Sequence, residues 1–128
     1  VYASNYDIPA LMSVYNPSPT DPTRPSYRNT SFLIEPSAMY QFTELVHGYV
    51  NVGVKSMIAV AMVEPFDAYN ADSCFGAAEY AASKGINIMD KISIDQTTAT
   101  SKDILNIVEK IRDHYHPDAV VWCDWARY

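Results

Sequence analysis

The chain has 128 residues and a formal net charge of −6 at neutral pH. This length fits one ordinary domain, large enough to bury roughly two-thirds of the surface that the unfolded chain would expose. The acidic residues are dispersed and no basic stripe with interleaved aromatic residues is present, so we expect no nucleic-acid partner and favour cationic or zwitterionic ligands. No apolar run approaches the roughly 20 residues of a membrane span, and we expect no anchor or signal peptide within the sequence.

The first 30 residues differ from the rest because prolines crowd among polar residues, which predicts an irregular connection. These prolines are Pro9, Pro17, Pro19, Pro22 and Pro25. Within this stretch only residues 8–14 could form a strand. A short strand followed by a long Pro-rich crossing is uncommon inside a compact domain, so we expect the chain to begin partway through a larger fold.

A regular pattern of strands and helices begins near residue 30. Residues 31–34 are predicted to be extended, and Ser37 can cap a helix that Gly53 ends. Apolar residues recur in this helix at three- and four-residue spacing, at Phe42, Leu45, Val46 and Tyr49.

A second strand and helix follow. The continuous apolar run at residues 57–63 predicts a buried strand, and a helix of small residues is expected from about residue 71 to 83. Phe75, Ala78 and Ala82 are predicted to share the face that packs on the sheet. Gly85 supplies the left-handed residue that ends the helix.

The last third of the chain repeats this order. Residues 86–94 alternate between apolar and polar, which predicts a strand, or two short strands, near a sheet edge. After a polar loop at 95–101, Thr100 or Ser101 can cap a helix that Pro117 ends. The apolar stripe of this helix is Ile104, Val108, Ile111 and Tyr115. Residues 118–125 are predicted to form a third strand.

This order predicts an α/β fold, a doubly wound parallel sheet with helices on both faces and right-handed crossovers. Three loops would then open at one sheet edge, at residues 64–70, 95–98 and 123–127. Ligands bind at this edge in open parallel sheets, which makes Asp67, Tyr69 and Asp124 candidate contacts. Strand alternation distinguishes Trp122, which could face the core, from Trp125, which could face a cleft.

The two cysteines, Cys74 and Cys123, fall on a predicted helix and at a predicted strand end. The favoured interpretation is two buried free thiols, because free cysteine packs as a small hydrophobe. A disulfide in an oxidising compartment is the alternative.

Catalytic and cofactor motifs are absent from the sequence. No phosphate-binding glycine loop follows the strand at 57–63, and no GxSxG elbow occurs. His114 and His116, two residues apart at a helix end, do not face the same side and form a poor metal site. We therefore expect no enzyme activity, no cofactor and no metal.

Several stretches together resemble type I periplasmic-binding-protein-like domains. Residues 8–13 (IPALMS), the Pro-rich crossing and residues 32–38 (FLIEPSA) resemble the end of the first lobe and the hinge of that family. The later landmarks agree in order: the Asp67-Ala-Tyr69 loop, the helix ending at Gly85, and residues 117–121 (PDAVV). The family includes branched-chain amino-acid binding proteins of ABC transporters and the ligand-binding regions of natriuretic-peptide, glutamate and GABA-B type receptors.

The resemblance implies a piece of a two-lobed receptor, with residues 1–30 as the end of lobe one and the hinge, and residues 31–128 as part of lobe two. Family aromatics that contact ligand match Tyr69 and Trp125, and lobe-one hydroxyls fall on Ser13 and Tyr15. Asp124 would meet an ammonium group. The chain departs from the family pattern at Ile34, where many members have arginine.

The implied function is recognition of a small polar ligand, such as an amino acid, in an extracellular or periplasmic protein. The lobe that the chain lacks would come from its parent chain, and a transporter or receptor in the membrane would be the partner. Two alternatives remain open: a structural or dimerisation lobe without ligand, which would form a homodimer, and a small flavodoxin-like α/β enzyme domain.

Overall fold

The computed structural model describes residues 10–12, 31–33, 38–65 and 68–124, the first two ranges as backbone only. Strands and helices alternate along the described chain. In order they are β1 (Ala10–Met12), β2 (Ser31–Leu33), a 3₁₀ turn (Ala38–Tyr40), α1 (Thr43–Asn51), β3 (Ser56–Val63), α2 (Tyr69–Ser83), β4 (Asn87–Asp95), α3 (Ser101–Lys110), a π-helical turn (Ile111–Tyr115) and β5 (Ala119–Cys123).

The described strands form two parallel sheets. β1 pairs with β2, and β3 lies between β4 and β5 in a three-stranded sheet of order β4-β3-β5. Because β3, β4 and β5 run parallel, their carboxyl ends meet at one edge. β4 lies at the side of the described sheet, as its alternating sequence predicts. It is one strand rather than two, with a register shift opposite Met57 and Ile58.

Helices cover both faces of the central strand, which confirms the predicted fold class. Alternate β3 side chains enter two cores. The core shared with α1 and α2 contains Met57, Ala59 and Ala61. The core against which α3 packs contains Ile58, Val60 and Met62.

Glycines end the first two long helices as predicted. Gly53 has φ +84° and Gly85 has φ +88°, the left-handed conformation that ends a helix. At the start of α3 the structure distinguishes the two candidate caps, because the Thr100 side chain accepts the Asp103 N–H in a capping box.

Three predicted helix faces are partly wrong. Ala82 is exposed, and the buried face of α2 includes Cys74, Ala78 and Ala81 instead. Val108 is 45% exposed and Leu45 is 40% exposed. In α3 it is Ile107 that packs against the core. Residues three and four positions apart are both neighbours on a helix, so spacing from Ile104 does not choose between Ile107 and Val108.

The helix starts also differ from the prediction. α1 begins at Thr43 after the 3₁₀ turn, with no side-chain cap, and Ser37 lies outside the described residues. None of the helices within the described residues is long and apolar enough to cross a bilayer.

Candidate functional site

A cleft of about 290 Å³ lies where β5 ends and α2 begins, beside the segment before α1. This volume lies just below the range of roughly 300–1,000 Å³ found for small-molecule sites. Aromatic, amide, hydroxyl and carboxylate groups share its lining. The lining residues are Phe42, Tyr69, Asn70, Ser73, Trp122, Cys123 and Asp124.

Tyr69 occupies the first residue of α2 rather than the loop in which it was predicted. Its ring is half-buried, and its hydroxyl donates a hydrogen bond to Oε1 of Gln41, which lies just before α1. This bond links the first turn of α2 to the segment that carries Phe42. Tyr69 is therefore held at the cleft from two directions.

Asn70 fixes the start of α2 to the end of the central strand. Its side chain is 4% exposed, and Nδ2 donates to the backbone oxygen of Met62 at 2.9 Å. A buried amide with a backbone partner holds a helix end in one position relative to a sheet. The next helical turn, which carries Ser73, is positioned by the same anchor.

Ser73 is the most buried polar residue of the cleft lining. It is 0% exposed, and among the described residues its Oγ has no hydrogen-bond partner. Leaving a buried hydroxyl unpaired costs about 1–3 kcal/mol. The opposite side of the cleft carries Trp122, which also packs against the second core, and the exposed Asp124.

Cys74 and Cys123 form a disulfide, so the favoured interpretation of two free thiols is wrong. Their Cα atoms lie 5.9 Å apart across 49 positions of sequence. The bridge is possible because α2 packs directly over β5, a proximity that spacing in the sequence does not reveal. Ser73 precedes one cysteine and Asp124 follows the other, so the disulfide joins the two sides of the cleft.

The loop after β4 does not contribute to this lining. Asp95 instead accepts hydrogen bonds from the hydroxyl and the backbone N–H of Thr97, both within the same turn. These bonds stabilise the carboxylate and lower the pKa of Asp95 below its ordinary value of 3.8.

Of the six predicted site residues, Tyr69 and Asp124 lie in the cleft lining. Trp125, Asp67, Ser13 and Tyr15 lie outside the described residues. Sequence reasoning did not place Phe42, Ser73, Trp122 and Cys123 at the site. Ser73 could have been found from its position one helical turn after Tyr69, but the predicted start of α2 was two residues too late.

Known proteins match this chain by their structures and not by their sequences. No protein-family model matches the sequence, and no curated protein matches it. An ABC transporter substrate-binding protein from Desulfitobacterium hafniense, solved in complex with Leu, is 18% identical with a TM-score of 0.63. The match covers 94% of this chain and 33% of that one.

Two further solved structures agree. A solute-binding protein of an ABC transporter from R. palustris, in complex with benzoate, has a TM-score of 0.64 at 14% identity and covers 96% of this chain and 32% of its own. An extracellular ligand-binding receptor from Rhodopseudomonas palustris HaA2 has a TM-score of 0.63 at 16% identity, with 94% and 31% covered.

At these identities the likeness concerns the fold, and the chain spans about a third of the length of the structures it matches. The resemblance to type I periplasmic-binding-protein-like domains is confirmed at that level. The chain has the fold of part of the ABC transporter substrate-binding proteins and extracellular ligand-binding receptors.

Proposed function

We propose that this chain supplies one side of the ligand cleft in a two-lobed solute-binding protein that recognises a small polar molecule such as an amino acid. The observation that carries the proposal is the cleft between the carboxyl end of β5 and the start of α2, at the sheet edge where α/β proteins bind ligands. Tyr69 and Trp122 provide apolar faces, and Asp124 is a carboxylate at the exposed side.

The ligands named for similar structures support this class of compound. They are Leu, benzoate and 3,4-dihydroxybenzoic acid. All three are small carboxylic acids with an apolar or aromatic body, which fits a cleft lined by rings and a few polar groups. In this chain Tyr69 would pack on the ligand body and Asp124 would accept from an ammonium group, with Trp125 and Asp67 nearby.

The two sheets divide the chain after β2 (Ser31–Leu33), a few residues beyond the boundary expected from the sequence. β1 and β2 pair only with each other among the described strands, while β3, β4 and β5 form the other sheet. Residues 1–30 would belong to the end of lobe one and the hinge, β2 would continue the sheet of β1, and the rest of residues 31–128 would belong to lobe two. Ser13 and Tyr15 would then approach the ligand from lobe one, and closure about the hinge would follow binding.

The disulfide supports an extracellular or periplasmic location, because disulfides persist in oxidising compartments. In that location the closed form would be recognised by a transporter or receptor in the membrane. The rest of the cleft would come from the other lobe of the parent chain.

A titration of the full-length protein that carries these residues tests the proposal. Amino acids and small aromatic acids would be added while heat of binding and thermal midpoint are recorded. At least one compound should bind, and Tyr69→Ala should weaken its binding about tenfold or more, because an aromatic wall of the site is removed. Tyr40→Ala is the matched control, since Tyr40 is 61% exposed and outside the cleft lining.

Two results would contradict the proposal. One is a wild-type protein that binds no compound in the set; self-association of that protein would then favour the ligand-free dimerisation lobe. The other is equal binding by the wild-type protein and the Tyr69→Ala variant.

A further inference from the structure

We propose that the hydroxyl of Ser73 is a ligand-binding group that donates a hydrogen bond to a carboxylate oxygen of the ligand. The inference rests on the proposed function and deepens it, because it assigns the inner end of the cleft to the ligand's acidic group. It begins from a buried hydroxyl without a partner among the described residues.

Packing alone does not explain a serine at this position. Ser73 is 0% exposed on a helix whose other buried residues include Ala77, Ala78 and Ala81. Alanine would fill nearly the same space without leaving a hydroxyl unpaired. Buried polar side chains in folded proteins nearly always have a hydrogen-bond partner, so a partner that arrives with the ligand accounts for the residue.

Ser73 lies on the face of α2 that lines the cleft. Tyr69, Asn70 and Ser73 are spaced at i, i+1 and i+4, so Tyr69 and Ser73 are neighbours on one face of α2. All three line the cleft. One Nδ2 hydrogen of Asn70 is already bonded to the Met62 oxygen, and the Ser73 hydroxyl is a further buried side-chain donor of this wall, without a partner among the described residues.

The end of α2 favours an acceptor at the same place. α2 has 15 residues, and Ala68 at its N-cap provides no side-chain hydrogen bond. Backbone N–H groups at a helix N-terminus carry partial positive charge and attract carboxylates. The N–H groups of this first turn, which also carries Asp72 outside the cleft lining, would add donors beside the unpaired Ser73 hydroxyl.

The difference in exposure between Ser73 and Asp124 predicts the orientation of the ligand in the cleft. Ser73 is fully buried, whereas Asp124 is exposed. A carboxylate pointing inward to Ser73 and an ammonium group pointing outward to Asp124 would satisfy both residues. The reverse direction would bring the ligand's carboxylate against the Asp124 carboxylate.

The test compares Ser73→Ala with the wild-type full-length protein. Leucine and benzoate are titrated beside leucinol and benzyl alcohol, in which the carboxylate is replaced by a hydroxymethyl group. Ser73→Ala should weaken binding of the acid about ten- to a hundredfold, the range for a hydrogen bond to a charged group. Binding of the corresponding alcohol should change by less than about threefold.

Thermal unfolding without ligand gives the second measurement. Ser73→Ala should have an unchanged or higher midpoint, because no hydrogen bond of the free protein is lost. The control is Ser83→Ala, at the far end of α2, where the hydroxyl donates to the Tyr80 oxygen outside the cleft. This variant should leave binding unchanged.

The outcomes separate the two proposals. If the wild-type protein binds an acid and Ser73→Ala binds it equally well, the role of Ser73 is overturned and the solute-binding function stands. A lower midpoint of free Ser73→Ala would also overturn that role, since the hydroxyl would then have a structural partner. If the wild-type protein binds none of the four compounds and no other amino acid or small aromatic acid, both proposals fail.

Discussion

Gly76 in α2 lies against the backbone of Met39 in the 3₁₀ turn, with no room for a side chain between them. A Cβ at position 76 would lie 2.5 Å from the Met39 Cα. The atoms it would meet belong to backbone, so a rotamer change cannot relieve the clash. This close approach brings Gln41 and Phe42, which follow Met39, to the side of the cleft.

Gly76→Ala should destabilise the protein by about 2 kcal/mol or more, because inserted atoms force the helix and the turn apart. Urea unfolding measures the change. Gly48→Ala is the matched control: Gly48 is in α1 with no atom within 4 Å of its added Cβ. Alanine there should stabilise by roughly 0.5–1 kcal/mol. A Gly76→Ala variant as stable as wild type would contradict the close contact.

Loss of the disulfide should destabilise the protein by about 4 kcal/mol in the chain-entropy model, given the 49-residue separation of its cysteines. The double variant Cys74→Ala, Cys123→Ala and the reduced wild-type protein provide two measurements by denaturant unfolding. Since the chain has two cysteines, a reductant acts on this bond alone. Equal stability with and without reductant would show that the bond does not form.

Asp118 should make stability depend on pH. Its carboxylate accepts the backbone N–H groups of Lys55 and Ser56 at 2.8 and 2.9 Å, which connects the residue before β5 to the start of β3. These bonds lower the pKa of Asp118 below the ordinary 3.8. A lowered pKa stabilises the folded state above the unfolded pKa, and this contribution is lost as pH falls through the folded value.

Asp118→Asn keeps an acceptor oxygen without the charge, so it isolates this effect. The variant should be less stable than wild type at pH 7, and the difference should shrink as pH falls below about 4. Thermal unfolding from pH 7 to pH 2.5 gives the comparison. A difference that stays constant over this range would rule out the charge as its cause.

Thr100→Ala should destabilise α3 by about 1 kcal/mol, the usual effect of removing a helix cap. The hydroxyl of Thr100 accepts the Asp103 N–H at 3.3 Å, and the Asp103 carboxylate accepts the Thr100 N–H at 2.8 Å. Ser101→Ala is the control, because Ser101 is the first helical residue and not the cap. Equal losses in the two variants would contradict this assignment.

Much of the fold could be predicted from local signals. Apolar runs, glycine stops and proline positions are properties of short segments, and they place β3, α2 and β5 within about two residues. Helix orientation was harder to predict. Where apolar or small residues occur on several sides, as at Ala82 and Val108, the buried side depends on the angle at which the helix packs on the sheet.

The location of the site could be predicted from the sequence, but most of the side chains that line it could not. Parallel strands bring their carboxyl ends together, so Tyr69 and Asp124 could be assigned to one edge. The pairing of Cys74 with Cys123 depends on contact between α2 and β5 across 49 positions. The role proposed for Ser73 depends on the burial of its side chain, and that burial is known only once the packing of α2 on the sheet is known.

The disulfide also determines what a protease can release. The segment between its cysteines contains β4, α3 and the whole turn at residues 95–100, in which Thr97 and Thr98 are exposed. A cut in that turn would yield two polypeptides that remain one covalent molecule. They would migrate together in electrophoresis until the disulfide is reduced, so nicked protein would pass as intact in a gel run without reductant.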